Sequence, residues 1–175
     1  MKKLILPFLV AGSLFANDAN LEITNHTLAI SSTISVTPNE DFAIRGTYLY
    51  DDEVDKNNYY SIGFQAQGEN ALDNYNSRLN IFIDLVHTKD NTALPIGIGV
   101  YNNNFGNLTY PLFAKFELSY APAVLSFDKA DKCLTTKLEI GLIPINNAKL
   151  FVGYKKIDFD EEYQSVGYLG IGFIF

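Results

Sequence analysis

The 175-residue sequence predicts an all-β fold, a small antiparallel transmembrane β-barrel of eight to ten strands, with ten preferred. Three observations carry that expectation. Apolar and polar residues alternate with period two from residue 27 to the end, in segments of about 8–12 residues, near the length at which a tilted strand crosses a bilayer. The chain opens on a leader-like segment and closes on a strand-like one, "VGYLGIGFIF", with large apolar residues at Leu169, Ile171, Phe173 and Phe175.

The opening "MKKLILPFLVAGSLFA" places two lysines before an apolar run that ends in small residues. This is the layout of a secretory signal peptide over 1–16, cleaved after Ala16, with 17–175 as the mature domain. The apolar run is too short for a membrane-spanning helix, which needs about 20 residues. The mature chain carries 11 basic and 20 acidic residues, a balance that disfavours nucleic-acid binding. A single cysteine, Cys133, allows no internal disulfide, so an exported fold must be held together by other means.

The strands are expected at "TLAISSTISV" (27–36), "FAIRGTYLY" (42–50), "YYSIGFQAQ" (59–67), "SRLNIFIDLVH" (77–87) and "LPIGIGVY" (94–101). They continue with "PLFAKFELSY" (111–120), "KCLTTKLEIGLI" (132–143), "AKLFVGYKKI" (148–157) and "VGYLGIGFIF" (166–175). That makes nine. If the last strand ends in the periplasm, counting turns backward leaves the segment at 27–36 starting on the outside. A short strand at "NLEIT" (20–24), turning at Asn25–His26, restores the parity and raises the count to ten.

Alternation sorts the strands into two faces. One is apolar, typified by Leu28, Ile44, Ile62, Phe64, Ile81, Ile98, Leu118, Leu138, Ile140 and Val152. The other carries Arg45, Arg78, Asp84, Lys115, Glu117, Lys137, Glu139, Lys149 and Lys155, with Gly63, Gly97, Gly99, Gly141, Gly153, Gly170 and Gly172. In a soluble sandwich or lipocalin-like barrel the apolar face is the core and the charges meet water. In an outer-membrane barrel the polarity is reversed. Glycines on the charged face favour the second reading, because a small barrel has a crowded interior. So do tyrosines near strand ends (48, 50, 59, 60, 120, 154 and 168), where membrane barrels place aromatic girdles.

The interior charges are the best-defined constellation. Pairs such as Lys115 with Glu117 and Lys137 with Glu139, two residues apart on one face, are expected to pair and close the lumen, since an isolated buried charge is expensive. With six cations against three carboxylates, the alternative is a narrow channel for small anions or other solutes. A further alternative is a secreted soluble β-barrel binding an apolar ligand. Acidic loops at Asp51, Asp52, Glu53 and Asp55, and at Asp158, Asp160, Glu161 and Glu162, read as solvated; carboxylates so grouped can also take divalent cations, though without EF-hand spacing. No catalytic role, cofactor or metal site is expected. The only histidines are His26 and His87, with no serine motif beside them, and Cys133 reads as a tolerated thiol.

The last strand reads backward as Phe175, Phe173, Gly170 and Tyr168, an order resembling the C-terminal β-signal recognised by the outer-membrane assembly machinery. Pairing it with the first strand would remove the exposed edges that invite aggregation. Along the mature chain "NLEITNHTLAI", "RGTYLYDDE", "SYAPAVLSF", "FVGYKKI" and "GYLGIGFIF" occur in an order that resembles the YfaZ family of Gram-negative outer-membrane proteins. Lys155 stands where that family's motif has an arginine. The resemblance implies an integral outer-membrane barrel and brings no established activity. The expected role is thus structural or surface-interacting in the bacterial outer membrane, with membrane lipid, lipopolysaccharide and the assembly machinery as partners.

Overall fold

The computed structural model describes residues 17–37, 41–52, 58–69, 77–103, 111–159 and 162–175. The leader expected over 1–16 lies outside them. Alternation at period two has produced one continuous antiparallel sheet that closes on itself. Its strands are β1 (Asp18–Ile23), β2 (Thr27–Ser35), β3 (Phe42–Asp51), β4 (Tyr59–Glu69), β5 (Ser77–His87), β6 (Asn91–Ala93) and β7 (Ile96–Asn102). Then follow β8 (Leu112–Ala121), β9 (Ser126–Asp128), β10 (Cys133–Ile145), β11 (Ala148–Phe159) and β12 (Glu162–Ile174). Among the described residues a single 3-10 turn, Ala123–Leu125, interrupts the strands.

Ten of these are staves. Neighbours in sequence pair in turn from β1 to β5, β5 pairs with β7, and β7, β8, β10, β11 and β12 follow; β12 then pairs with β1. The short strand expected at 20–24 is β1, and it supplies the tenth stave. It reverses into β2 through a turn built by Thr24: the Thr24 hydroxyl accepts from the amides of His26 (3.1 Å) and Thr27 (2.8 Å), the local bonding by which threonine favours turns.

The structure adds two elements to the expected set. The stretch ahead of β7 contains β6, separated from it by Leu94 and Pro95, because proline supplies no ladder donor. β6 lies beside the last residues of β5 and pairs on its other side with β9, so this sector of the wall continues past the start of β7. This sector stands at the end opposite Asn17 and Phe175, whose backbones are joined by a 3.1 Å hydrogen bond.

The two faces fall as alternation sorted them, and the apolar one is outside. Phe64 and Leu169 are each 66% exposed and Ile62 61%, whereas Glu22 and Glu139 are 3% exposed and Lys155 6%. A soluble barrel would have the opposite arrangement, since unpaired Lys and Glu are almost never buried. Tyr50, Tyr60, Tyr120 and Tyr154 are exposed on the outer wall, and Tyr48 stacks on Tyr60 with centroids 5.1 Å apart. Tyr59 and Tyr168 depart from the expected girdle: both are buried inside the barrel, because their registers share the face of Ser61 and of Gly170.

Candidate functional site: the closed lumen

The lumen has three layers. Toward the end carrying Phe175, Phe113, Phe151 and Tyr168 pack in series, with ring centroids 6.1 and 6.2 Å apart; Tyr101 extends the row 5.8 Å from Phe113. At the opposite end Leu49, Tyr59, Val86, Ala93, Cys133, Ile157 and Phe159 form an apolar cluster, and Leu125 of the 3-10 turn packs against it. Most of the charges lie between, while Lys149 and Asp18 lie on the Phe175 side of the aromatic row.

Glycine makes this filling possible. A Cβ on Gly170 would run into the Phe151 ring, and one on Gly153 into the Tyr168 ring, so the aromatic layer fits only because its cross-strand neighbours have no side chains.

The charge layer is paired side chain to side chain. Arg45 donates to both carboxylate oxygens of Glu117, Nη1 to Oε1 at 3.1 Å and Nη2 to Oε2 at 3.0 Å. Its Nε lies 3.3 Å from Asp84 Oδ1, and its guanidinium sits 4.1 Å from the centroid of the Phe82 ring. Lys115 Nζ is 3.0 Å from Glu117 Oε1, and Lys137 Nζ is 3.0 Å from Glu139 Oε1, so both pairs expected two residues apart form. Glu139 also accepts from the Tyr168 hydroxyl at 2.9 Å. Arg78 lies on the inward register near the Phe175 end, opposite Tyr101.

Two members of the layer escaped the sequence reading. Glu22, on β1, receives Lys137 at 2.6 Å and Lys155 at 2.5 Å, one lysine on each carboxylate oxygen. Asp18 receives Lys149 at 2.5 Å. Glu22 sits in the short strand inferred from parity; the alternation Leu21–Glu22–Ile23 was the signal that would have placed it inside. These two carboxylates correct the expected balance of six cations to three acids and remove most of the cationic excess on which anion selectivity would rest.

A cavity of about 40 Å³ remains inside this layer, lined by Arg45, Tyr59, Ser61, Asp84, Glu117 and Lys137 among others. Its polar lining and size suit a few water molecules. Asp84 lines this space, and its buried Oδ1, beside Arg45 Nε, accepts no hydrogen bond from the described residues.

The remaining candidate residues are dispersed. His87 is exposed, with Nδ1 2.9 Å from the Thr92 hydroxyl, and that hydroxyl donates to Asp128 at 2.7 Å. The proton of Thr92 is therefore directed at the carboxylate, the reverse of an alcohol activated by an imidazole base. Cys133 is fully buried in the apolar cluster. Of the acidic loops, Asp51 is buried and accepts from Gln164 at 2.7 Å, and Asp52 lies 3.6 Å from His26 Nδ1. Asp158 is 3.4 Å from Lys156 Nζ. Glu53, Asp55, Asp160 and Glu161, and the Glu162 side chain, lie outside what the structure describes. Among the described residues no group of three or more His, Cys, Asp or Glu could hold a metal ion.

Tyr168 and Gly170 of the terminal segment face inward, while Phe173 and Phe175 are exposed outside. No protein-family model and no curated protein matches the chain. Two solved structures are similar to it. One, described as the KdgM porin in complex with disordered oligogalacturonate, is 12% identical over 90% of this chain and 98% of its own, with a TM-score of 0.45. The other, the KdgM porin, is 10% identical over the same shares, with a TM-score of 0.42.

Proposed function

We propose that this chain is an integral bacterial outer-membrane β-barrel with a closed lumen, whose role is structural or surface-interacting rather than catalytic. The observation that carries the reading is the reversed polarity of the wall: a continuous apolar exterior around an interior of paired charges. So large an exposed apolar surface needs a nonaqueous partner, and lipid is the partner that surrounds a barrel on all sides. The tyrosines on the outer wall would lie in the headgroup region, against lipopolysaccharide, and the terminal strand would engage the assembly machinery. The YfaZ-like motifs imply the same kind of integral outer-membrane barrel, and the leader-like segment at 1–16 would supply a route of export.

The closed lumen follows from filling. Barrels of this size are occupied by side chains, whereas aqueous porins use about 16–18 strands. Aromatic rings block one end, an apolar cluster the other, and salt bridges cross the middle. Purified protein is expected to need detergent for extraction and to migrate differently on unboiled and boiled gels; solubility without detergent would overturn the membrane assignment. In planar bilayers it should give no stepped conductance. Steady unitary currents that change when Lys115 and Lys137 are removed would replace the closed lumen with a narrow channel.

A further inference from the structure

The seam between β1 and β12 poses a problem that the apolar pattern does not solve. A strand displaced by two residues keeps every side chain on its original face, so alternation specifies the face and leaves such displacements open. β12 is nearly degenerate under that shift: Leu169, Ile171 and Phe173 all point outward, and Gly170 and Gly172 both point inward. β1 offers Ala19, Leu21 and Ile23 outside. The observed register, Leu21 opposite Ile171 and Glu22 opposite Gly170, has to be selected by something else.

We infer that the lumen salt bridges to β1 are a register lock for barrel closure. Lys137 of β10 and Lys155 of β11 reach across β12 to the two oxygens of Glu22. Their ammonium groups lie 5.8 and 5.4 Å from the centroid of the Tyr168 ring. Lys149 of β11 crosses β12 at Gly172, where a Cβ would strike its stem, to reach Asp18. Gly172 thus leaves Lys149 a lane to Asp18, while Lys137 and Lys155 pass over the Tyr168 ring to Glu22.

The two possible slips differ. Moving Glu22 from Gly170 to Tyr168 drives it into a buried ring whose hydroxyl is already committed to Glu139. Moving it to Gly172 meets only flexible side chains, the Lys149 stem and Asn20, which can give way. That slip hands Glu22 to Lys149 in place of Asp18, which is carried beyond the last residue of β12, but it removes the partner of Lys155 and leaves Lys137 with Glu139 alone. Breaking a buried ion pair by withdrawing one partner is strongly unfavourable, so the charges exclude the direction that sterics leave open. Because register at the seam also fixes the stagger of the closed sheet, the lock sets the shape of the whole barrel.

Cysteine pairs on the outer face read the register directly. In a Cys133→Ala background, Leu21→Cys with Ile171→Cys reports the observed register, and Leu21→Cys with Phe173→Cys the slipped one. In the observed register the second pair is a diagonal of about 7–8 Å, beyond disulfide reach. The full chain, folded in detergent and oxidised, should form only the first crosslink. Adding Asp18→Asn and Glu22→Gln should raise the ratio of second to first about tenfold or more. Asp84→Asn, which disturbs the charge layer away from the seam, should leave the ratio unchanged. A double carboxamide variant that folds and crosslinks only at Leu21–Ile171 would overturn the lock, as would an equal shift from Asp84→Asn. If the double variant gives no folded band, the exchanged pair Asp18→Lys with Lys149→Asp must fold better than either single change; if it does not, the proposal fails.

Discussion

Replacing Arg45 with alanine tests whether the charge layer stabilises the barrel or merely occupies it. Arg45 holds Glu117 through two bonds of 3.0 and 3.1 Å and lies 3.3 Å from Asp84. The side chains are only 17%, 6% and 8% exposed respectively, so water screens them little. Withdrawing one partner from a buried pair costs about 3–5 kcal/mol. Glu117 would keep Lys115 at 3.0 Å, which places the expected loss at the lower end, about 3 kcal/mol, or roughly a hundredfold in the unfolding equilibrium. The measurement is equilibrium unfolding by guanidinium in lipid vesicles, read from the folded band on unboiled gels. Arg45→Lys should recover part of the loss, because it keeps the charge but not the fork that grips both oxygens. Lys129→Ala, which breaks the exposed pair with Asp90, should shift nothing measurable. If Arg45→Ala unfolds within about 1 kcal/mol of the parent, the pairing is incidental and the reasoning from burial fails.

Three further outcomes are expected. Gly97→Val should yield little folded barrel, because a Cβ there meets the Phe82 ring and Ser119, whereas Gly68→Val, where nothing lies within 4 Å, should fold normally; equal yields on unboiled gels would refute the packing argument. The Cys133 thiol should resist maleimide in the folded barrel and react after denaturation, since it is fully buried in the apolar cluster; rapid labelling of folded protein would show that this end of the lumen is open. Deleting Phe175 should lower assembly into the outer membrane in cells, measured as heat-modifiable protein in envelopes, and unchanged insertion would count against the terminal strand as an assembly signal.

Much of the wall was legible because alternation reports faces directly. Residues such as Ile62, Ile98 and Leu138 announced the exterior, and Arg45, Glu117 and Lys137 the lumen. Parity supplied β1, which is too short to announce itself. Three things stayed hidden, each for a physical reason. Glu22 and Asp18 lie in that short strand, where few residues define a period. β6 and β9 have three residues each, and their pairing depends on the position of β5 rather than on their own composition. The inward aromatics Phe82, Phe113, Phe151 and Tyr168 resemble exterior residues by hydrophobicity. Alternation with Asp84, Lys115, Lys149 and Gly170 sets them inward, but the glycines that make room for them, Gly97, Gly141, Gly170 and Gly153, are matched to them only by pairing in the closed sheet.

The stave order also dictates a sequence of events in time. Nine of the ten contacts around the wall join neighbours along the chain, some through turns as short as the two residues Asn146 and Asn147. The tenth joins Ile23 to Leu169, roughly 150 residues apart, for which chain closure costs about 4 kcal/mol of entropy before any bond rewards it. Hairpins can therefore zip progressively, while the meeting of first and last strands waits until the intervening sheet has curled enough to bring them together. Until then a growing ribbon carries two open edges, and the slowest step of biogenesis is expected to be the one that eliminates both at once.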